Sequence, residues 1–174
     1  MSKRRGAAKL MDMKDIASAL CERCGGSVSQ THAVLEASGH GYTLTVTGVP
    51  VSTCRRCRTS QMISEYGELN LDAIISATVT ALETLAPHNE GEQKYLTQHC
   101  RNCRTKLPDS VDPVRAHFRA NAAIGTTSEL VGVDYYGSAF TCPSCLLKHP
   151  HLPSPLYHKI KDSVTRAAQH YLPG

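Results

Sequence analysis

Tryptophan is absent from this chain of 174 residues, and other aromatics are few, with two Phe and seven Tyr. Burying one large apolar side chain contributes about 1.5–3 kcal/mol. A chain short of such groups is expected to form two compact halves, each held by covalent or coordinate links, rather than one large core. No run of about 18 apolar residues occurs, so no membrane-spanning helix is expected. The N-terminal stretch MSKRRGAAKLMDMKDIASAL is basic but lacks the apolar centre and small-residue cleavage site of a secretory signal. A cytosolic protein is therefore expected. HExxH, HxE…PCxxC, GxSxG, P-loop and GxGxxG patterns are all missing, so a noncatalytic protein is expected.

What the chain does have is eight cysteines, all in CxxC pairs: Cys21/Cys24, Cys54/Cys57, Cys100/Cys103 and Cys142/Cys145. Within each half, 29 and then 38 residues separate the pairs. Two thiolates from one tight turn can bind one ion, and a second CxxC completes a tetrahedron. The expectation is two Zn²⁺ ions per chain, each held by four cysteines. Four thiolates close the coordination sphere and leave no activated water, so both sites are expected to be structural. A thioredoxin-like redox pair needs a βαβ context that is missing, and disulfides need an oxidising compartment. An iron–sulfur cluster stays open on ligand type alone. His99, His149 and His151 are expected at the surface or behind the sulfurs.

Charge is uneven. Residues 1–60 carry nine Lys/Arg against four Asp/Glu, residues 61–99 one against six, and residues 100–174 nine against five. Much of the positive charge sits beside cysteines, at Arg23, Arg55, Arg56, Arg58, Arg101, Arg104 and Lys106. These side chains would either contact nucleic-acid phosphates or balance the negative charge of zinc thiolates. At this level the two roles are equally supported.

The expected fold is α+β: two small zinc-ribbon modules, each a β-hairpin with CxxC knuckles, flanked by short helices. The modules would span residues 1–86 and 99–174, with 87–98 as linker. Met11–Leu20 suits a short helix. Strands are expected at Ala33–Ala37 and Tyr42–Thr47, where apolar and polar residues alternate. Asn70 is placed to cap a helix over Leu71–Leu85, stopped by Pro87; its apolar side would pack over the ribbon or against its copy in a homodimer. Asp112-Pro113 suggests a helix start continuing over Val114–Ile124 to Gly125, with Arg115 and Arg119 on one face, which is either simply solvated or a further phosphate contact. Strands are expected at Leu130–Val133 and Tyr135–Thr141, then a last helix with Leu156, Ile160, Val164 and Ala167 inward.

Cys21-Glu-Arg-Cys-Gly-Gly26, the alternating Tyr42–Thr47 and Gly48-Val-Pro-Val-Ser-Thr-Cys-Arg-Arg-Cys57 together resemble the YgiT-type zinc finger over residues 20–85. The resemblance implies Cys21, Cys24, Cys54 and Cys57 as zinc ligands. Members of that family include bacterial antitoxin-regulators, whose zinc domain contacts a toxin or builds an oligomer while a helix-turn-helix binds DNA. Here a second cysteine-paired half stands where that helix-turn-helix would be. The segment from Cys142 to Ala168 resembles the C-terminal zinc knuckle and helix of lambdoid phage late antiterminators. These resemblances imply a bacterial or phage transcription regulator that contacts DNA or RNA polymerase. The alternative is an antitoxin-like or adaptor module that binds a partner protein.

Overall fold

The alternation around residues 33–46 becomes a long antiparallel hairpin in the computed structural model, which describes residues 20–62, 71–91 and 97–172. Strand β1 (Val28–Gly39) turns through His40–Gly41 into β2 (Tyr42–Cys54). Ala33, Leu35, Ala37, Tyr42, Leu44 and Val46 are buried on one face, while Thr43 and Thr47 are exposed on the other. A bulge at Thr47–Gly48 inserts one residue, so that Leu35 pairs with Val46 but Ala33 with Val49. Inward positions on β2 then move from even numbers to odd, which turns Val49 and Val51 into the core. Gly48 has φ 75°, and a Cβ there would lie 2.5 Å from the Leu130 carbonyl oxygen. Only glycine fits that position.

β2 is the hub of a 5-stranded antiparallel sheet, with β1 along one edge. Over Tyr42–Thr47 its free edge pairs with β7 (Leu130–Gly137), which in turn pairs with β6 (Ala116–Ala123). Over Val51–Thr53 the same edge takes β3 (Ser60–Met62). After Gly137 the chain leaves this sheet, and β8 (Ala139–Thr141) pairs with β9 (Lys148–Pro150) around the last CxxC. Two strands are present at residues 130–141 as expected, but they part at Ser138 rather than at Asp134.

Helix α1 (Leu71–Leu85) forms where expected, with Leu71, Ile74, Ile75 and Leu82 buried. Helix α2 (Leu156–Ala168) buries Ile160, Ser163, Val164 and Ala168. α1 packs on β6, β7 and α2, whereas α2 packs on β1 and α1. Each half thus repeats one plan (CxxC, hairpin, CxxC, helix), the hairpins join antiparallel through β2 and β7, and each helix covers strands of the other half. The apolar side of α1, expected to meet the ribbon or a second copy, is taken up within the chain.

The two ribbons keep separate cysteines but share one core, which runs from Leu35 and Val46 through Ile74 and Leu82 to Val131, Tyr135 and Ile160. Separate cores were expected from the shortage of aromatics. Tyr42 and Tyr135 meet across the junction, stacked at 5.6 Å between ring centroids. Both hydroxyls are satisfied, Tyr135 donating to the His151 carbonyl at 2.9 Å and Tyr42 meeting Ser163 Oγ at 2.8 Å.

A helix expectation is also overturned. Val114–Ile124 is not a helix; Ala116–Ala123 is strand β6, paired along its length with β7. Val114, Phe118 and Ala122 recur at a spacing of four, which places residues on one face of either a helix or a strand. The strand pattern decides: Phe118 is buried, while His117, Arg119 and Asn121 are exposed. Gly125, with φ 56°, belongs to the β6–β7 turn. Residues 87–98, expected as linker, contribute strand β4 (His88–Glu90), which pairs with β5 (Thr97–His99) and leads into Cys100. The Met11–Leu20 helix (apart from Leu20) and the Asn70 cap lie outside the described residues.

Candidate metal centres

All four CxxC segments form the same backbone loop. The first cysteine donates its N–H to the carbonyl five residues on (Gly26, Thr59, Thr105 and Leu147) and accepts from the N–H four residues on, all at 2.7–3.0 Å. That fourth residue is left-handed each time: Gly25 (φ 67°), Arg58 (62°), Arg104 (61°) and Leu146 (61°). Four short, differing sequences therefore reach one conformation, which aims both sulfurs of a pair to the same side.

The loops meet in pairs. In the first centre Cys21 Sγ lies 3.7 Å from Cys57 Sγ, and Cys24 Sγ 3.5 Å from Cys54 Sγ. In the second, Cys100–Cys145 is 3.5 Å, Cys103–Cys142 3.4 Å and Cys103–Cys145 3.6 Å. The four sulfurs of each centre lie within 4.8 Å of one another. A tetrahedron with metal–sulfur bonds of 2.3 Å has sulfur–sulfur edges of about 3.8 Å. Each tetrad can therefore hold one metal ion, and the eight expected ligands sort into the two expected sets.

The thiols of each tetrad titrate apart. The Thr59 hydroxyl, 3.2 Å from Cys57 Sγ, and the Thr59 backbone hold Cys57 down at about 6. Thr105 does the same for Cys103, also at about 6, with its hydroxyl 3.3 Å away. Backbone N–H groups lower Cys54, from Cys57, and Cys145, from Leu147. At Cys24 the Gly26 N–H favours the thiolate but is outweighed by Cys54, burial and the remaining sulfurs, and the pKa is pushed up to about 12. Burial leads in raising Cys100 to about 11. Sulfurs this close cannot all carry charge alone, and a dication among them removes the conflict.

The second centre is the more enclosed. Cys100 and Cys142 are fully buried and pack with Leu107 and Phe140, while in the first centre only Cys54 is buried. His149, 1% exposed, places Nε2 3.3 Å from Cys100 Sγ. Burial lowers its pKa, although a hydrogen bond to the Leu85 backbone works the other way. His149 thus stands directly behind a sulfur ligand. His99 and His151 do not touch sulfur: His99 is half-buried near Glu90, and His151 rests edge-on against Phe140.

The basic residues separate into three groups. Arg23, Arg55, Arg56 and Arg58 are exposed together on the first centre, and none has a carboxylate within 4.0 Å among the described residues. Arg56 instead donates to the Cys24 carbonyl of the facing loop at 3.2 Å. On the second centre Arg101 donates to the Glu83 carbonyl, Arg104 pairs with Glu90 and Lys106 with Asp109. Arg119 pairs with Asp134 at 2.8 Å on the outer sheet face, and Arg115 precedes β6. The structure thus brings four of the nine expected phosphate contacts together without acidic partners.

Two features escaped the sequence reading, which recognised no repeat beyond the CxxC plan. Thr59 and Thr105 support equivalent sulfurs, a role signalled by the recurring strings CRRCRT (54–59) and CRNCRT (100–105). The left-handed Arg58 and Arg104 belong to the same strings. His149 was expected at the surface or behind the sulfurs and is found behind Cys100, though only tertiary packing selects it over His99 and His151. Comparison of the chain with protein-family models, curated proteins and solved structures finds no match.

Proposed function

We propose that both tetrads hold Zn²⁺ as structural ions and that the first centre uses its arginine cap to contact nucleic-acid phosphates. Sulfur-only ligands at tetrahedral spacing suit zinc, and four thiolates leave no open position for catalysis. The chain then acts without catalysis as a bacterial or phage transcription regulator, on DNA or on RNA polymerase. The resemblances to YgiT-type fingers and phage late antiterminators support that setting.

The carrying observation is the unpaired cap. Zinc with four thiolates is doubly negative, and Glu22 adds one further charge. Four arginines outweigh both, whereas charge balance alone would need fewer. Phosphate contacts position a protein and carry no sequence information, so binding to a mixed-sequence duplex should fall steeply with salt. Fluorescence anisotropy at low and moderate salt tests this, and no complex at low salt would refute it. Elemental analysis should return two zinc ions per chain; iron would refute the metal assignment.

A partner-protein module is the second reading, and the fourth knuckle favours it. Cys142-Pro-Ser-Cys-Leu-Leu147 carries no charge, and Leu146 and Leu147 are 74% and 45% exposed. A purified complex with a defined protein, abolished by Leu146→Gly and containing no nucleic acid, would establish it.

A further inference from the structure

Arg58 occupies a backbone position that glycine fills more easily. The equivalent residue of the facing knuckle is Gly25, with φ 67° against 62° for Arg58 and with the same two hydrogen bonds. Nothing lies within 4 Å of a Cβ built at Gly25, so the loop itself requires no side chain there. A left-handed residue bearing a side chain is strained, and such strain tends to persist where the side chain has a task. Arg104 shares the conformation but has Glu90 as a partner at 4.0 Å. Leu146 shares it too, with no charge at all.

Within the cap, Arg56 is committed to the Cys24 carbonyl. Arg23 and Arg55 lie between cysteines, where the CxxC loop needs no unusual residue. Arg58 alone combines exposure, the absence of a carboxylate partner among the described residues and a strained backbone. Because the zinc-held knuckle fixes that backbone, the guanidinium stem starts from a rigid base, which reduces the entropy lost on binding.

We propose that Arg58 is the principal phosphate anchor of the cap, held in a left-handed conformation that the knuckle would adopt more stably with glycine. The ligand class is the phosphodiester backbone of duplex nucleic acid, met without regard to base sequence. This rests on the nucleic-acid role proposed for the first centre.

The two effects of Arg58→Gly have opposite signs, which separates anchoring from simple structural damage. The variant should keep both metal ions and gain about 2–8 °C in thermal midpoint. Its affinity for a labelled mixed-sequence DNA duplex should fall several-fold, and the slope of log K against log salt should shrink by about 0.9. Arg104→Gly, the matched control, should gain stability less, because it loses Glu90, and should leave the salt slope unchanged. If the unaltered protein binds duplex while Arg58→Gly keeps its slope and affinity, the anchor assignment is overturned and the cap's role stands. If the unaltered protein shows no salt-dependent binding at all, the role of the cap falls and the anchor falls with it. A loss of metal or of thermal stability in Arg58→Gly would also overturn the proposal, since the arginine would then be structural.

Discussion

Replacing His149 with Phe should weaken one metal centre and spare the other. The imidazole is 1% exposed, and Nε2 lies 3.3 Å from Cys100 Sγ. Phe keeps a ring in the space, so little cavity forms, but the contact to sulfur is lost. A hydrogen bond to a charged group contributes about 1.5–3 kcal/mol. Partners behind a metal ligand typically govern about 10–100-fold in affinity, or about 1.4–2.7 kcal/mol at 1.36 kcal/mol per decade. The two estimates agree. Competition with a chromophoric chelator should show release of one of the two ions moving to weaker binding by that factor. Thr59→Val, which removes the hydroxyl 3.2 Å from Cys57 Sγ, should shift the other ion's release and so assign the two steps. Equal shifts of both ions in His149→Phe, or no shift in either, would refute the assignment of His149 as a support specific to the second centre. His149→Ala should add the loss of packing around Phe140 and lower the thermal midpoint further.

Metal removal by a strong chelator should reduce the β-sheet circular dichroism, because each tetrad ties together the two ends of its hairpin and ion binding supplies part of the folding free energy; an unchanged spectrum would sink the structural role. Gly48→Ala should destabilise by more than about 1–2 kcal/mol, the left-handed penalty alone, since the new Cβ also meets the Leu130 carbonyl oxygen at 2.5 Å; thermal or urea unfolding measures it, and a neutral result would mean that the bulge relaxes. Asp134 has its pKa lowered by the hydrogen bond from His117 first and that from Arg119 second. Its folded pKa lies below the ordinary 3.8, so its stabilisation is present above that value and is lost as pH falls through the folded pKa. Asp134→Asn should therefore remove part of the acid dependence of stability below about pH 4 and leave the profile near neutrality unchanged, as followed by denaturation midpoints across that range.

Legibility in the sequence followed the range of the forces involved. Hairpin β1–β2 could be read because alternation is local, and even the bulge leaves a trace: the apolar positions 42, 44 and 46 give way to 49 and 51. Helix α1 could be read from its apolar spacing and from Pro87. Strand β6 could not, because a spacing of four satisfies both periods and Ala-rich segments suit helices; pairing with β7 settled it. The four left-handed knuckle residues were only partly visible. Gly25 announces such a conformation, but Arg58, Arg104 and Leu146 adopt it because the hydrogen bonds of the loop and its sulfur geometry demand it.

The sequence by itself determined the chemistry of the centres: eight cysteines in four tight turns, which can gather into two tetrads because each CxxC presents its two sulfurs through local backbone geometry. Tertiary structure alone decided how the halves relate. Pairing of β2 with β7, the stacking of Tyr42 on Tyr135 and the exchange of helices between halves all depend on contacts across tens of residues, which no local pattern encodes. It also decided which arginines stand free. Arg104 and Arg119 meet carboxylates brought in by other strands, while Arg23, Arg55 and Arg58 meet none among the described residues. Whether a charge is available to a partner depends on what the fold places beside it, and neighbours in space are set by the sheet rather than by the spacing of the cysteines.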